Sequence, residues 1–339
     1  MVIGIIGCGG IARAHVYSLS LISMVKGLAF YDVSDDNMRH LSKLSALPVI
    51  FCSSLKELAI HSDGFIICAP NNFHVSLAEE VLKYKTIPFV CEKPLSTDLK
   101  SAKRLVEIAP LASIVSFNYR YNKIVIKIQE IIEKRALGKL NFFSAEFNKN
   151  SALIRNNLTW RDSSQQSKSS GALGDLSCHL LDLFCFLAED TIRTSDLRVV
   201  KGTRVNNKSD GPVEVDDNGY VFGRADGGAF FRIRASKSDD DGSQLGLHIN
   251  LVFDEGEIHY STTDENKLFL TFFSKLGVEE VMLETRKVIP DPNRELPFWS
   301  DSFYYLLLDW CRLLQNHGKS KALPFLPAGL HIQEIIEEF

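Results

Sequence analysis

Neither a basic run nor an apolar stretch long enough to span a membrane occurs in the 339 residues. With 38 Lys and Arg against 42 Asp and Glu the net charge is −4, and no segment carries the positive excess that a nucleic-acid backbone attracts. Nucleic acid and membrane are therefore not expected partners. Cysteine is present but unpatterned. Cys8, Cys52, Cys68, Cys91, Cys178, Cys185 and Cys311 are odd in number, sit mostly in apolar surroundings and form no C-x-x-C pair. That argues against a disulfide framework and a zinc site, and for reduced thiols in the cytoplasm. No positive residue precedes Ile5-Ile6-Gly7-Cys8, and the apolar run there is too short for a signal peptide. There is no internal repeat, and Asp239-Asp240-Asp241 reads as a solvated turn rather than a metal site. What is there, 45% hydrophobic and 24% charged residues, is the composition of a globular enzyme, in a chain long enough for two domains.

The first third alternates two periodicities. Nearly all-apolar runs at Val2–Ile6, Leu28–Tyr31, Val49–Cys52, Gly64–Ala69, Pro88–Cys91 and Ser113–Phe117 predict parallel strands covered on both faces. Helices are expected between them at Ile11–Met24, Asp35–Ser45, Ser54–Ala59, His74–Tyr84 and Thr97–Ile108. This alternation predicts an α/β, doubly wound parallel sheet over residues 1–120. Residues 121–339 read differently. A helix at Lys123–Arg135 and a strand at Leu140–Phe147 precede a long polar stretch, Asn148–Ser170, of the kind that is functional or mobile in compact domains. A helix over Gly171–Leu187 follows. Strand-like segments at Arg198–Val205, Tyr220–Phe222, Ala229–Ala235, Leu245–Phe253, Glu257–Tyr260, Leu268–Phe273 and Val281–Thr285 predict an antiparallel, mostly meandering sheet. Closing helices are expected at Phe298–Gln315 and Ala328–Phe339.

The strongest local signal is Gly7-Cys8-Gly9-Gly10-Ile11-Ala12 between the first strand and the first helix. In such a G-x-G-x-x-A turn the first Gly permits the tight turn. The second lets backbone approach a pyrophosphate, and the small third residue packs helix on strand. The pyrophosphate would rest on the free N–H groups at the helix start. Asp32, closing the second strand, supplies a carboxylate for the ribose hydroxyls. It would repel a 2′-phosphate, and no Arg or Lys directly follows it, which favours NAD over NADP. The bland alternative, that Asp32 caps the next helix, is weakened because Ser34 and Asp35 serve that purpose equally well.

Three further elements carry chemistry. Pro70-Asn71-Asn72-Phe73-His74 follows the fourth strand, where open α/β sheets bind ligands; Asn71 or Asn72 can also simply cap a helix. Glu92-Lys93-Pro94 follows the fifth strand. It is either a surface ion pair of little worth or, beside a nicotinamide, a lysine of lowered pKa suited to proton transfer. The Lys93-Pro94 bond is a candidate cis peptide. Asp175 and His179 stand four apart on the helix over Gly171–Leu187, an acid/base pair if the ring reaches the carboxylate, and otherwise a core histidine or a metal ligand.

Taken together, Gly7–Ala12, Pro70–His74, Glu92–Pro94, Asn118-Tyr119-Arg120, Trp160-Arg161 and Gly171–Asp182 make nearly the whole chain resemble the glucose-fructose oxidoreductase/inositol dehydrogenase family, Gfo/Idh/MocA. The resemblance implies an N-terminal Rossmann domain and a C-terminal α+β domain with an open, largely antiparallel sheet. It also implies closing helices that can pack back on the first domain, and homodimers or homotetramers through that sheet. By the same resemblance Lys93, Asp175 and His179 form the catalytic group. Gly7, Gly9, Gly10, Ile11, Ala12, Asp32, Pro70, Asn71, His74, Glu92, Lys93, Asn118 and Arg120 serve the cofactor, and Arg120, Trp160 and Arg161 join the catalytic group at the substrate. The implied activity is hydride transfer between NAD and a ring hydroxyl or ketone of a sugar, nucleotide-linked sugar or cyclitol. The alternatives are a non-catalytic dinucleotide- or sugar-binding regulator of the same fold, or an NADP-dependent aldehyde or dihydrodiol reductase. Lys123, Ser169, Ser170, Gly174 and Ser177 depart from the family pattern around the catalytic helix, which bears on substrate more than on chemistry.

Overall fold

A computed structural model describes the chain except residues 160, 161, 164–170, 241, 243, 244, 265, 266, 275–277, 283–299 and 319. The described chain forms two compact units. The first is Met1–Asn122 with the described part of 286–331, and the second the described part of 123–285 with Ile332–Phe339.

In the first unit, β1 (Val2–Ile6), α1 (Gly10–Ser20), β2 (Gly27–Tyr31), α2 (Asp35–Ser42), β3 (Val49–Phe51), α3 (Leu55–His61), β4 (Gly64–Ile67), α4 (His74–Leu82), β5 (Phe89–Cys91), α5 (Leu99–Ile108) and β6 (Ile114–Val115) alternate as the sequence predicts. The six strands lie in the order β3-β2-β1-β4-β5-β6, all parallel. Ile3, Ile5, Phe30, Ile66 and Val90 are fully buried, which is why these strands lack polar alternation. The last strand is shorter than its apolar run, because the Phe117 amide turns back to the Val115 carbonyl at 2.9 Å and a 3₁₀ turn, Asn118–Tyr121, follows.

The second unit contains α6 (Lys123–Glu133), β7 (Leu140–Asn148), α7 (Ser151–Ile154), a π turn at Leu173–Ser177 and α8 (Cys178–Ala188). Then come β8 (Arg198–Gly202), the hairpin β9 (Asn207–Lys208) and β10 (Gly211–Pro212), β11 (Asn218–Arg224), β12 (Phe230–Ser236), β13 (Gly246–Phe253), β14 (Gly256–Ser261), β15 (Lys267–Phe272) and β16 (Val278–Met282). The eight-stranded sheet runs β16-β15-β14-β13-β7-β12-β11-β8. It is a meander only at its two ends. β7, the earliest of these eight strands in the chain, is inserted between β12 and β13 and runs parallel to β12, with Ala145 opposite Ile233 on one side and Ile249 on the other. That order puts β7 in the interior of the sheet, and its Phe143, Ala145 and Phe147 are buried on the covered face. Asp239 is not solvated as expected: it is buried and pairs with Arg234 at 2.7 Å, while Asp240 pairs with Arg204 at 2.7 Å. Asp241 and residues 283–285 of the last expected strand lie outside the described residues.

The closing segments are α9 (Asp301–Leu314) and α10 (Leu326–Ile336). α9 belongs to the first unit, where Leu306, Leu307, Trp310 and Cys311 join the core of β1, β2 and α1. The Trp310 indole N–H donates to the Ala112 carbonyl at 2.9 Å.

Candidate functional site

Three strand ends meet at the glycine turn. The Gly7 amide donates to Tyr31 O at 2.9 Å and the Cys68 amide to Ile6 O at 2.7 Å, so β1 ends between β2 and β4, where the strand order reverses. Gly7 has φ +87°, and a Cβ there would stand 2.7 Å from the Ala69 nitrogen. The chain's own geometry demands this glycine. It does not demand the next two, because a Cβ on Gly9 or Gly10 meets nothing within 4 Å. Space is kept open above the start of α1, and that start has no side-chain cap and no acid in its first turn. Ile11 packs against the core and Ala12 is fully buried, which seats the helix on the strand.

Asp32 stands beside this cradle. Its Oδ2 accepts from the Cys8 amide at 2.6 Å and its Oδ1 from the Ser34 amide at 2.8 Å. The cap of α2 is Ser34, whose hydroxyl accepts from Asn37 N. Burial, then the Asp32 charge, pushes the Cys8 thiol up to about 12, so it stays protonated at neutral pH.

At the end of β4, Pro70 precedes a 3₁₀ turn whose first residue, Asn71, is buried. His74 is 1% exposed, with Nε2 2.9 Å from Ala69 O and Nδ1 3.1 Å from Pro94 O. Burial drives its pKa down against the opposing carbonyls and Glu92, which leaves the ring neutral. Both ring nitrogens face backbone, so His74 ties the end of β4 to the Lys93-Pro94 loop. That peptide bond is cis, and Lys93 is half-buried.

Glu92 is buried, with Oε1 2.7 Å from Nε2 of His15 on α1. Burial raises the Glu92 carboxyl, but the hydrogen bond and charge of His15, with the charge of Lys93, outweigh it and the net direction is down. His15 was not anticipated as part of this site. Its signal was legible, since it falls in the buried stripe Ala12, His15, Val16, Leu19 of α1. Its ring lies edge-on to Phe303 at 4.7 Å. Asn118 and Arg120 are both buried in the turn after β6, where Asn118 Nδ2 donates to the Ser302 hydroxyl at 2.7 Å.

The second unit holds the other expected residues. Asp175 lies in the π turn and His179 in the first turn of α8, where the sequence predicts one continuous α-helix. The Ser177 hydroxyl folds back onto the Leu173 carbonyl inside this turn. Such one-turn π segments recur at functional sites. Asp216 secures the start of the turn, accepting from the Leu173 amide at 2.9 Å. A Cβ on Gly171 would collide with that carboxylate at 2.1 Å. Asp175 Oδ2 meets Lys237 Nζ at 3.1 Å. Lys237 also escaped prediction, although it follows Phe231, Ile233 and Ala235 on the buried face of β12. Trp160 and Arg161 lie outside the described residues. Asp162 is held by Lys208 at 2.9 Å, which ties this residue to the β9–β10 hairpin. Among the described residues no cluster of three or more His, Cys, Asp and Glu could hold a metal ion. No described helix is long and apolar enough to cross a membrane.

Residues 1–119 match the model of an oxidoreductase family with an NAD-binding Rossmann fold, GFO_IDH_MocA, and residues 125–259 match the GFO/IDH/MocA C-terminal domain. The chain is 33% identical to glucose-6-phosphate 3-dehydrogenase of Bacillus subtilis, over 99% of this chain and 95% of that one. It is 29% identical to myo-inositol 2-dehydrogenase of Thermotoga maritima over 41% of this chain and 42% of the other. A solved structure of levoglucosan dehydrogenase in complex with NADH and levoglucosan shares the fold, with TM-score 0.82 and 20% identity over 99% of this chain and 95% of that one. The chain therefore belongs to the Gfo/Idh/MocA family. It is an oxidoreductase whose first unit is an NAD-binding Rossmann domain.

Proposed function

We propose that the protein is an NAD-dependent dehydrogenase acting on a ring hydroxyl of a sugar, or on the corresponding ketone, with a hexose phosphate as the first candidate. The observation that carries this reading is the full-length likeness to glucose-6-phosphate 3-dehydrogenase. The N–H groups at the start of α1 would hold the pyrophosphate in the space that Gly9 and Gly10 leave open. Asp32 takes the ribose hydroxyls and repels a 2′-phosphate, which sets NAD above NADP. Glu92, Pro70, Asn71, Asn118 and Arg120 shape the nicotinamide end. Lys93 and His179 hold the reacting oxygen and take up its proton, and Asp175 orients His179 for that exchange. When bound, the nicotinamide takes up the hydride from the carbinol carbon.

The partner we propose is a second copy of the chain, seated on the open face of the C-terminal sheet. Val200, Phe222 and Phe230 are 61%, 38% and 55% exposed there. A monomer in sedimentation at micromolar concentration would remove this part of the reading. With its seven cysteines unpaired, the protein suits a reducing cytoplasm.

The test is the near-ultraviolet absorbance of NADH formed from NAD with glucose 6-phosphate, free glucose, myo-inositol, levoglucosan and a nucleotide-linked glucose. A rise with one of these and not the others names the substrate class. A protein that binds NADH yet gives no rise with any of them overturns the proposal as stated.

A further inference from the structure

The backbone of Lys237 is held on both sides. Its amide donates to Asp217 O at 2.7 Å and its carbonyl accepts from the Ala152 amide at 2.7 Å. The side chain, 5% exposed as a residue, reaches Asp175 Oδ2 at 3.1 Å and the Gly171 carbonyl at 3.2 Å. The Asp175 amide donates to that same carbonyl at 3.1 Å. Asp175 is thus gripped at its amide and at its carboxylate by one closed circuit, Asp175 N–H to Gly171 O to Lys237 ammonium to Asp175 carboxylate. A buried lysine is costly unless it is paired and hydrogen-bonded, and both requirements are met here by the residue carried on the π turn.

We propose that Lys237 is a positioning residue for Asp175: its ammonium fixes the orientation of that carboxylate and keeps it in the charged form that the acid/base chemistry uses. This deepens the reading under Proposed function and rests on it for its kinetic part. The other charged groups around the pair are Asp216, whose carboxyl burial raises and Lys237 and Lys201 oppose, and Asp217, Arg155 and the Lys208–Asp162 pair. None of these is altered in the test.

The full-length chain is compared with Lys237→Met and Lys237→Arg. The first readout is the ¹³C carboxyl titration of Asp175, assigned by its loss in Asp175→Asn. It needs no substrate. The expected result is a midpoint moved up by more than about one pH unit in Lys237→Met, where a desolvated carboxyl has lost its counter-charge, and returned toward the parent value in Lys237→Arg. The second readout is turnover with whichever substrate the absorbance screen names. We expect kcat to fall about 100-fold in Lys237→Met, with the acid limb of its pH profile shifted upward and NADH affinity unchanged. Partial recovery is expected in Lys237→Arg. If Lys237→Met does not fold, the arginine variant and a Lys237→Gln variant carry the same comparison. An Asp175 midpoint that stays in place in the folded variants overturns the proposal. So does a kcat within two-fold of the parent, or a loss shared equally by NADH binding and by both substitutions. A moved midpoint in a chain that turns over no sugar would sustain the positioning role while the proposed function fails.

Discussion

The first turn of α1 and the first turns of α2, α3 and α5 solve one physical problem in opposite ways. A helix start leaves backbone N–H groups without acceptors. α2 begins with the Ser34 hydroxyl accepting from Asn37 N and two acids, Asp35 and Asp36, in its first turn. α3 has Ser54 accepting from Glu57 N at 3.2 Å, and α5 has Asp98 Oδ1 accepting from Ser101 N at 2.8 Å. α1 has neither a capping side chain nor an acid. α4 also lacks a side-chain cap, but it continues directly from a 3₁₀ turn, with the His74 amide donating to Asn71 O. Three starts satisfy themselves. The fourth leaves its donors and its dipole without a side-chain cap, with open space at two glycines beside it, which is the arrangement the proposed cofactor site requires.

Four expected outcomes sharpen or break that contrast. The largest is Gly7→Ala. With φ +87° and a Cβ 2.7 Å from backbone that cannot yield, the substitution should cost more than about 3 kcal/mol or abolish folding, read as the urea midpoint. Next comes Gly10→Asp. It gives α1 the acid its neighbours have, so the fold should hold or gain about 0.5 kcal/mol while NADH affinity falls by more than about 100-fold. Unchanged NADH binding by calorimetry would mean the open helix start is not the pyrophosphate cradle. Gly9→Ala is the gentler version, with an unaltered melting temperature and NADH binding weakened by more than about 10-fold.

The third outcome reverses the pattern. Asp98→Ala or Ser54→Ala should cost about 1 kcal/mol of stability and leave NADH affinity unchanged. A loss of cofactor binding in either would erase the distinction between structural and ligand-facing helix starts. The smallest effect is on pH. Burial raises the Asp98 carboxyl, but the Ser101 amide and hydroxyl and Thr97 outweigh it, so its folded-state pKa lies below the ordinary value. A carboxyl depressed on folding stabilises fully above the unfolded pKa of about 3.9 and ceases to as pH falls through the folded value. The difference in urea midpoint between the parent and Asp98→Ala should therefore be constant from neutral pH to about pH 5 and shrink below about pH 4.

Much of the first unit was legible because its determinants are local. Apolar runs covered on both faces, capping residues and the glycine turn are written within a few residues of where they act. Gly7 and Asp32 could be placed at strand ends, and a cap at Ser34 or Asp35, without any knowledge of their neighbours in space. The second unit was less legible. Its strands alternate and could be found, yet nothing in Leu140–Asn148 announces that it will pair with Phe230–Ser236 on one side and Gly246–Phe253 on the other. Pairing between distant segments depends on which apolar faces find each other, and the meander expected from sequence order fails at that point.

The same division runs through the site. By itself the sequence determined the class of fold, the dinucleotide turn with its acidic partner, and the residue types Lys93, Asp175 and His179 at strand and helix positions where they can act. Only the tertiary structure decided that His74 would face backbone carbonyls and that Glu92 would be buried against His15, 77 residues away. It alone bent the start of the helix that carries Asp175 and His179 into a π turn, and it set Lys237 against Asp175 across 62 positions of chain, 237 minus 175. The reason is physical. Backbone stereochemistry and capping are settled within one turn of chain. The partner of a buried charge is settled by which element packs over it, and that is a property of the folded chain.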